Sequence, residues 1–376
     1  MKKRILALAM GMALLLSGCA AMLERSHVSS TAHVDYAVEE DDESILRVES
    51  YQGLVNSMLY FVNDHRGGGV IRLYNYTGDV EADLAKARDK VLQDPVGAFA
   101  VGSLDYESTR ILSYYEVKIA VSYVRAAREV EAISKVTSMT GVRQELNRMV
   151  SQREGTAVFM ASYFSGGAEL VESLLFQEIY NAPELYCYPN GPEVDLDYTV
   201  TLYPETGTRR IVEVKVNWQD DEEQAGQRAR ELEQAASALL EASPPAGEDY
   251  TVEELTTVVR AAHGGEDPAG TRLPLEVLQG APAQDEGLLL AMEYLCRRCG
   301  IEVVTARGEG PGRSWLIVAT PEGYRHLLPG ALYAVQREGP DGEEPEPPVS
   351  LYTDQELTGM GYEWPVPLYP VCAEPS

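Results

Sequence analysis

Apolar positions at Tyr51, Leu54, Met58 and Phe61 recur every three or four residues, and the polar, glycine-rich His65-Arg66-Gly67-Gly68-Gly69 ends the pattern. That period predicts a helix with one buried face. Residues 70–76 follow as a run of β-formers, Gly78-Asp79 opens a second helix reaching Val91, and Asp94-Pro95 breaks it. Residues 110–124 alternate apolar and polar side chains, the period of one long half-buried strand. The same order then returns, with a helix over 142–149 and a strand over 156–164. Gly166-Gly167 opens a helix to Ile179, Ala182-Pro183 breaks it, and strands follow over 198–203 and 209–218.

The two runs align residue by residue. Tyr76-Thr77-Gly78 falls against Phe164-Ser165-Gly166, and Asp94-Pro95 against Ala182-Pro183, both at a spacing of 88. Glu116-Val117-Lys118 echoes Glu213-Val214-Lys215 at a spacing of 97, so the second copy has gained residues before its last strand. Residues 47–218 therefore read as a duplicated α/β region, two related units sharing sheets. Carboxylates stand at both glycine-rich helix starts (Asp79, Glu81 and Asp83; Glu169 and Glu172), which favours helix capping over phosphate binding. The tyrosines at 74, 76, 106, 114, 115 and 123 fit cross-strand packing better than a binding face.

A charged helix over 220–242 and the Pro/Gly-rich stretch 244–247 make residues 219–248 a helical connector, and a third unit occupies 249–376. Inside it, residues 340–348 form an acidic, proline-rich insert. Fold class is thus α+β, a duplicated α/β region followed by a separate C-terminal domain.

Composition narrows the function. The chain has 376 residues, 45 % of them hydrophobic and 24 % charged, as expected of globular domains. Its 31 basic against 59 acidic residues give a net charge of −28, a field that repels nucleic acid and anionic headgroups. Five Cys and five His without zinc spacing predict no structural metal site, and no sequence feature calls for a cofactor.

The N-terminus carries an address. Lys2, Lys3 and Arg4 precede an apolar run over 5–16, which is shorter than the ~20 residues a membrane span needs. It ends in Leu16-Ser17-Gly18-Cys19, which resembles the bacterial lipobox. The resemblance implies a signal peptide over 1–18, cleavage before Cys19 and acylation of its thiol. The protein is then extracytoplasmic, anchored through Cys19 to the outer face of the bacterial cell membrane. Residues 19–46, with Glu39-Glu40-Asp41-Asp42-Glu43, read as a disordered acidic tether.

The C-terminal unit resembles a bacterial transglutaminase-like (papain-like) domain: Leu275-Glu276-Val277-Leu278, a helix over 285–299, Gly300-Ile301 opening a strand, then Gly308, Trp315 and Val318. In that family a Gly-x-Cys-x-Gly-Tyr-Ala motif holds the nucleophile, a His in His-Ala-Trp is its base, and an Asp orients the His. Here the motif falls on Ala283-Gln284-Asp285-Glu286-Gly287-Leu288-Leu289, and His-Ala-Trp on Arg313-Ser314-Trp315. The three chemical positions hold Asp285, Arg313 and about Leu328, and Asp285 is expected to pair with Arg313. Cys296 and Cys299 lie at the wrong end of the helix, on its apolar face, and read as core. Cys187 and Cys372 leave a disulfide open. His326 is the one residue in place for acid or base work, and a structural role is the stronger reading. The resemblance implies a lipoprotein with a catalytically inactive domain that serves binding or scaffolding at the cell envelope, with an envelope protein or peptide as its partner. A hydrolase using carboxylates such as Asp285 and Glu286, and a solute-binding lipoprotein, are the alternatives.

Overall fold

The structure, a computed structural model, describes residues 36–39, 42–309, 313–333, 338–339, 342–343, 348–366 and 369–373. The expected signal segment 1–18, the lipidation site Cys19, residues 20–35 of the tether and most of the insert 340–348 lie outside the described residues. Two compact units divide the chain, one ending at Ala127 and the other beginning at Arg128.

The first unit runs β1 (Tyr36–Glu39), β2 (Asp42–Val48), α1 (Tyr51–Asn63), β3 (Gly68–Tyr74), α2 (Val80–Leu92), a short helix Pro95–Ala100, β4 (Val101–Ile111) and β5 (Tyr114–Tyr123). Its sheet has the order β1-β2-β3-β5-β4, with β2 and β3 parallel and every other pair antiparallel. The parallel pair needs the α1 crossover, whose face of Leu54, Met58 and Phe61 is fully buried. Two expectations are corrected here. The tether was expected to reach residue 46, but Tyr36–Glu39 and Asp42–Val48 are strands: Leu46 and Val48 are buried, and β2 is the parallel partner β3 requires. The single strand over 110–124 is a hairpin, turning at Leu112-Ser113 without the Gly or Asn that marks such turns.

The second unit opens with the other repeat: β6 (Ser134–Val136), α3 (Met139–Ser151), β7 (Thr156–Ser162), α4 (Ala168–Tyr180), β8 (Asp197–Tyr203) and β9 (Arg209–Asn217), in a sheet of order β6-β7-β9-β8. The 88-residue offset carries α1 onto α3, β3 onto β7 and α2 onto α4, bounds included. Both first helices are capped by serine, Ser50 Oγ accepting from Gly53 N at 3.0 Å and Ser138 Oγ from Gly141 N at 3.1 Å. Both end in a left-handed residue, His65 or Arg153 at φ 50°, with the next amide bonded back to Phe61 O or Met149 O. Asn75 and Tyr163 hold matching positive φ after the following strand. Each repeat completes its own sheet, so the expected sharing of sheets is corrected.

The rest of the unit is α5 (Glu222–Ala242), α6 (Val252–Ala262), the extended β10 (Glu266–Thr271), α7 (Asp285–Arg298), β11 (Val303–Arg307), β12 (Ser314–Thr320), β13 (Gly323–Leu327), β14 (Leu351–Tyr352) and α8 (Asp354–Gly359). The last four strands form an antiparallel sheet β11-β12-β13-β14 against which α7 packs. The expected connector helix is part of this core, because its stripe of Leu232 and Ala236 is buried with Leu255, Leu288 and Leu295. Leu290 of α7 joins the core of the second repeat instead. One helix thus serves two cores, which is why the chain does not divide at 218 or 249. The α+β class stands.

Candidate functional site

A cleft of about 1220 Å³ in the second unit is lined from α4, β10, the start of α7, the end of β11 and the start of β12. Its wall is set by two close backbone approaches. A side chain at Gly287 would bring its Cβ within 2.6 Å of Thr271 O, and one at Gly270 within 2.6 Å of Pro282 O, so both positions require glycine. Gln284 precedes the helix and ties the wall together: its Nε2 donates to Gly270 O at 2.8 Å and its Oε1 accepts from Arg272 Nε at 3.0 Å.

Asp285 and Arg313, assigned to the nucleophile and base positions, both line this cleft. They do not form the expected pair. Tyr333 Oη donates to Asp285 Oδ1 at 2.6 Å, and burial together with this bond lifts the Tyr333 hydroxyl pKa above its ordinary value. Arg313, Glu266 and Glu309 make no side-chain hydrogen bond or ion pair among the described residues. Leu328, at the third position, is not a lining residue and packs beside Trp315.

Six carboxylates, from Glu193, Glu266, Asp267, Asp285, Glu286 and Glu309, meet three guanidiniums, Arg272, Arg307 and Arg313. Arg272 Nε lies 3.4 Å from Glu286 Oε2, and Arg307 is ion-paired with Glu193 and sits 4.5 Å over the Tyr180 ring. Tyr180 Oη also donates to Glu193 Oε2 at 3.0 Å. These pairs cancel within the wall, so the charge left to a ligand is negative, with Arg313 as a single cationic point.

No thiol or imidazole is among the described lining residues. Cys187, Cys296, Cys299 and Cys372 are all free, so Cys187 and Cys372 form no disulfide. Burial raises the pKa of each, that of Cys372 to about 12, which suppresses the thiolate a nucleophile needs. Cys296 is fully buried about three turns beyond the cleft end of α7.

His326 is fully buried away from the cleft. Trp315 Nε1 donates to its Nδ1 at 2.9 Å, and its Nε2 donates to Asp354 Oδ1 at 2.8 Å. Asp354 Oδ2 in turn accepts from the Cys372 amide at 3.1 Å. Among the described residues His326, Asp354 and Cys372 bring potential ligand atoms within 4.8 Å of one another. A cation on Nε2 would move the imidazole proton to Nδ1, where the indole N–H already points. The donor set therefore fits a neutral hydrogen-bonded relay that fastens the C-terminal segment, and burial holds the His326 pKa below its ordinary value against the opposing pull of Asp354.

Sequence reasoning found Asp285 and Arg313 but missed Tyr333, Arg272, Glu193 and Arg307, which reach the cleft from distant segments with no local motif. Among the described residues no helix is long and apolar enough to cross a membrane. No protein-family model matches the chain, and no curated protein matches it.

Proposed function

We propose that this chain is a surface lipoprotein, anchored through Cys19, whose C-terminal region is a catalytically silent transglutaminase-like domain that binds a peptide ligand at the cell envelope. The observation that carries the reading is the cleft itself: the positions assigned to nucleophile and base converge on it, but they supply a carboxylate held by a tyrosine and a guanidinium. Neither can perform the thiolate chemistry of that family, because a carboxylate is a poor nucleophile toward amides and a guanidinium does not accept a proton at working pH. The helix followed by an antiparallel three-strand run is compatible with the same resemblance.

What remains is recognition. The unpaired Glu266 and Glu309 favour cationic groups on the ligand, while Arg313 donates to a carboxylate or carbonyl oxygen, and the half-buried Tyr333 offers a ring face. Calorimetric titration of capped trilysine and capped triglutamate tests this. Trilysine binds more tightly at low salt, and Glu266→Gln with Glu309→Gln removes the preference. Equal binding of the two peptides, or a preference untouched by the double variant, refutes the cleft assignment.

A further inference from the structure

The first unit carries an exposed apolar tip that the cleft does not use. Between β4 and β5 the chain turns at Leu112, which is fully exposed, beside Ile111 at 37 % exposure. Around it stand Arg110, 5.7 Å over the Tyr115 ring, and Tyr114, whose ring lies 4.9 Å from that of Tyr74, itself capped by Arg47 at 4.5 Å. Arg47 is ion-paired with Glu49 at 3.0 Å, which leaves Arg110 as the guanidinium at this end; an aliphatic tip with tyrosine rings and an arginine is the chemistry of a bilayer interface, where tyrosine rings sit at headgroup level and arginine meets phosphate.

Strand register adds where this tip points. Tyr36, the first described residue, pairs with Val48, Val48 with Leu73, Leu73 with Tyr115 and Tyr115 with Arg110. The chain arriving from Cys19 therefore enters the sheet in the same row as Arg110, next to the turn. Four strand spacings of about 4.8 Å separate the two, roughly 19 Å along one end of the sheet. The segment from Cys19 to Tyr36 can reach about 60 Å when extended, so it holds this end of the unit near the membrane without preventing contact. Glu39 and Asp42, in the acidic run, pair at the opposite end of β1 and β2.

We infer that the Ile111-Leu112 hairpin tip docks on the lipid bilayer, giving the first unit a second membrane contact beside the anchor. The inference rests on the proposed anchor at Cys19. A tethered tip needs little intrinsic affinity, because the anchor keeps its local concentration at the surface high.

The test uses the full chain expressed with fatty-acid label, purified from membranes and placed in vesicles of zwitterionic phosphatidylcholine, which the net charge of −28 does not oppose. Leu112→Trp and Val124→Trp place an indole at the tip and at an exposed site at the other end of the same hairpin. Relative to the wild-type emission, the tryptophan at 112 should shift to the blue and be quenched by lipids brominated in the acyl chains, and the one at 124 should not. A labelled, membrane-bound chain whose residue 112 is unquenched overturns the docking and leaves the anchor standing. Equal quenching at both sites overturns it as well, as does a blue shift at 112 without lipid quenching, which would place a protein there. A chain that takes no label and leaves with the soluble fraction removes the anchor and the docking together.

Discussion

Glu293 of α7 is a carboxyl with no exposed surface, and replacing it by glutamine isolates the energy of that burial. Arg297 Nη2 donates to its Oε1 at 2.7 Å and Thr305 Oγ1 donates to its other oxygen, yet desolvation outweighs both and raises the pKa from 4.5 to about 7. The native carboxyl thus holds its proton more tightly than the unfolded chain does. Between pH 4.5 and 7 unfolding releases that proton, so this group's contribution falls as pH rises and levels off above pH 7. At about 1.4 kcal/mol per unit, the full displacement amounts to about 3 kcal/mol. Glutamine keeps the shape and stays neutral, while Arg297, about one-third exposed, keeps its water. Urea unfolding of wild type and Glu293→Gln at several pH values between 4.5 and 8 reads the effect. The two should be close at pH 4.5, and the variant should gain up to about 3 kcal/mol by pH 8, steepest between about pH 5 and 6.5 and flattening above about pH 7. A difference that stays flat across this range would show that Glu293 is not a buried, reluctantly ionised acid, and the α7–β11 contact described here would be wrong.

Other outcomes follow from single contacts. Because His326 is held neutral, stability should decline as pH falls below about 6.5 toward its lowered native pKa; Trp315→Phe, which removes the opposing N–H, should move the His326 proton titration upward by NMR. Tyr163 is four-fifths exposed at φ 62°, so Tyr163→Gly should raise the unfolding free energy read by urea titration, by about 1 kcal/mol less the extra freedom of glycine in the unfolded chain. Glutamyl endopeptidase should cut early at Glu248, in the exposed stretch between α5 and α6, and late at Glu116 within β5; an early cut at Glu116 would contradict the fold.

Local periodicity made the repeats legible: the 88-residue spacing matched the two copies, and the expected helix over 142–149, strand over 156–164 and helix from Gly166-Gly167 to Ile179 overlap elements that the structure places at 139–151, 156–162 and 168–180. The β4–β5 turn was hidden because Leu112-Ser113 carries no turn chemistry, and β1 and β2 because acidic residues at 39–43 masked the apolar Leu46 and Val48. Domain limits failed for a different reason. Leu290 and Leu295 lie on one helix but enter different cores, a division that no composition shift announces. In the cleft, Asp285 and Arg313 were legible through motif position alone. Their partners were not, since Tyr333 lies 48 residues from Asp285 and joins it only through tertiary packing. His326 stood out in the sequence and is buried between Trp315 and Asp354, whereas Asp354 and Cys372 beside it gave no sequence signal.

The central claim is that the cleft recognises a ligand without acyl transfer. The direct measurement is amine incorporation and peptide cleavage by the purified protein, run beside Asp285→Cys, Cys296→Ala and Cys299→Ala, with circular dichroism confirming that each variant is folded. The account predicts no activity in any of the four. Asp285→Cys should fail too, because Arg313 offers no base to the new thiol. Activity in the wild type that either Cys→Ala variant abolishes while remaining folded would contradict the account and place the chemistry on α7's buried face.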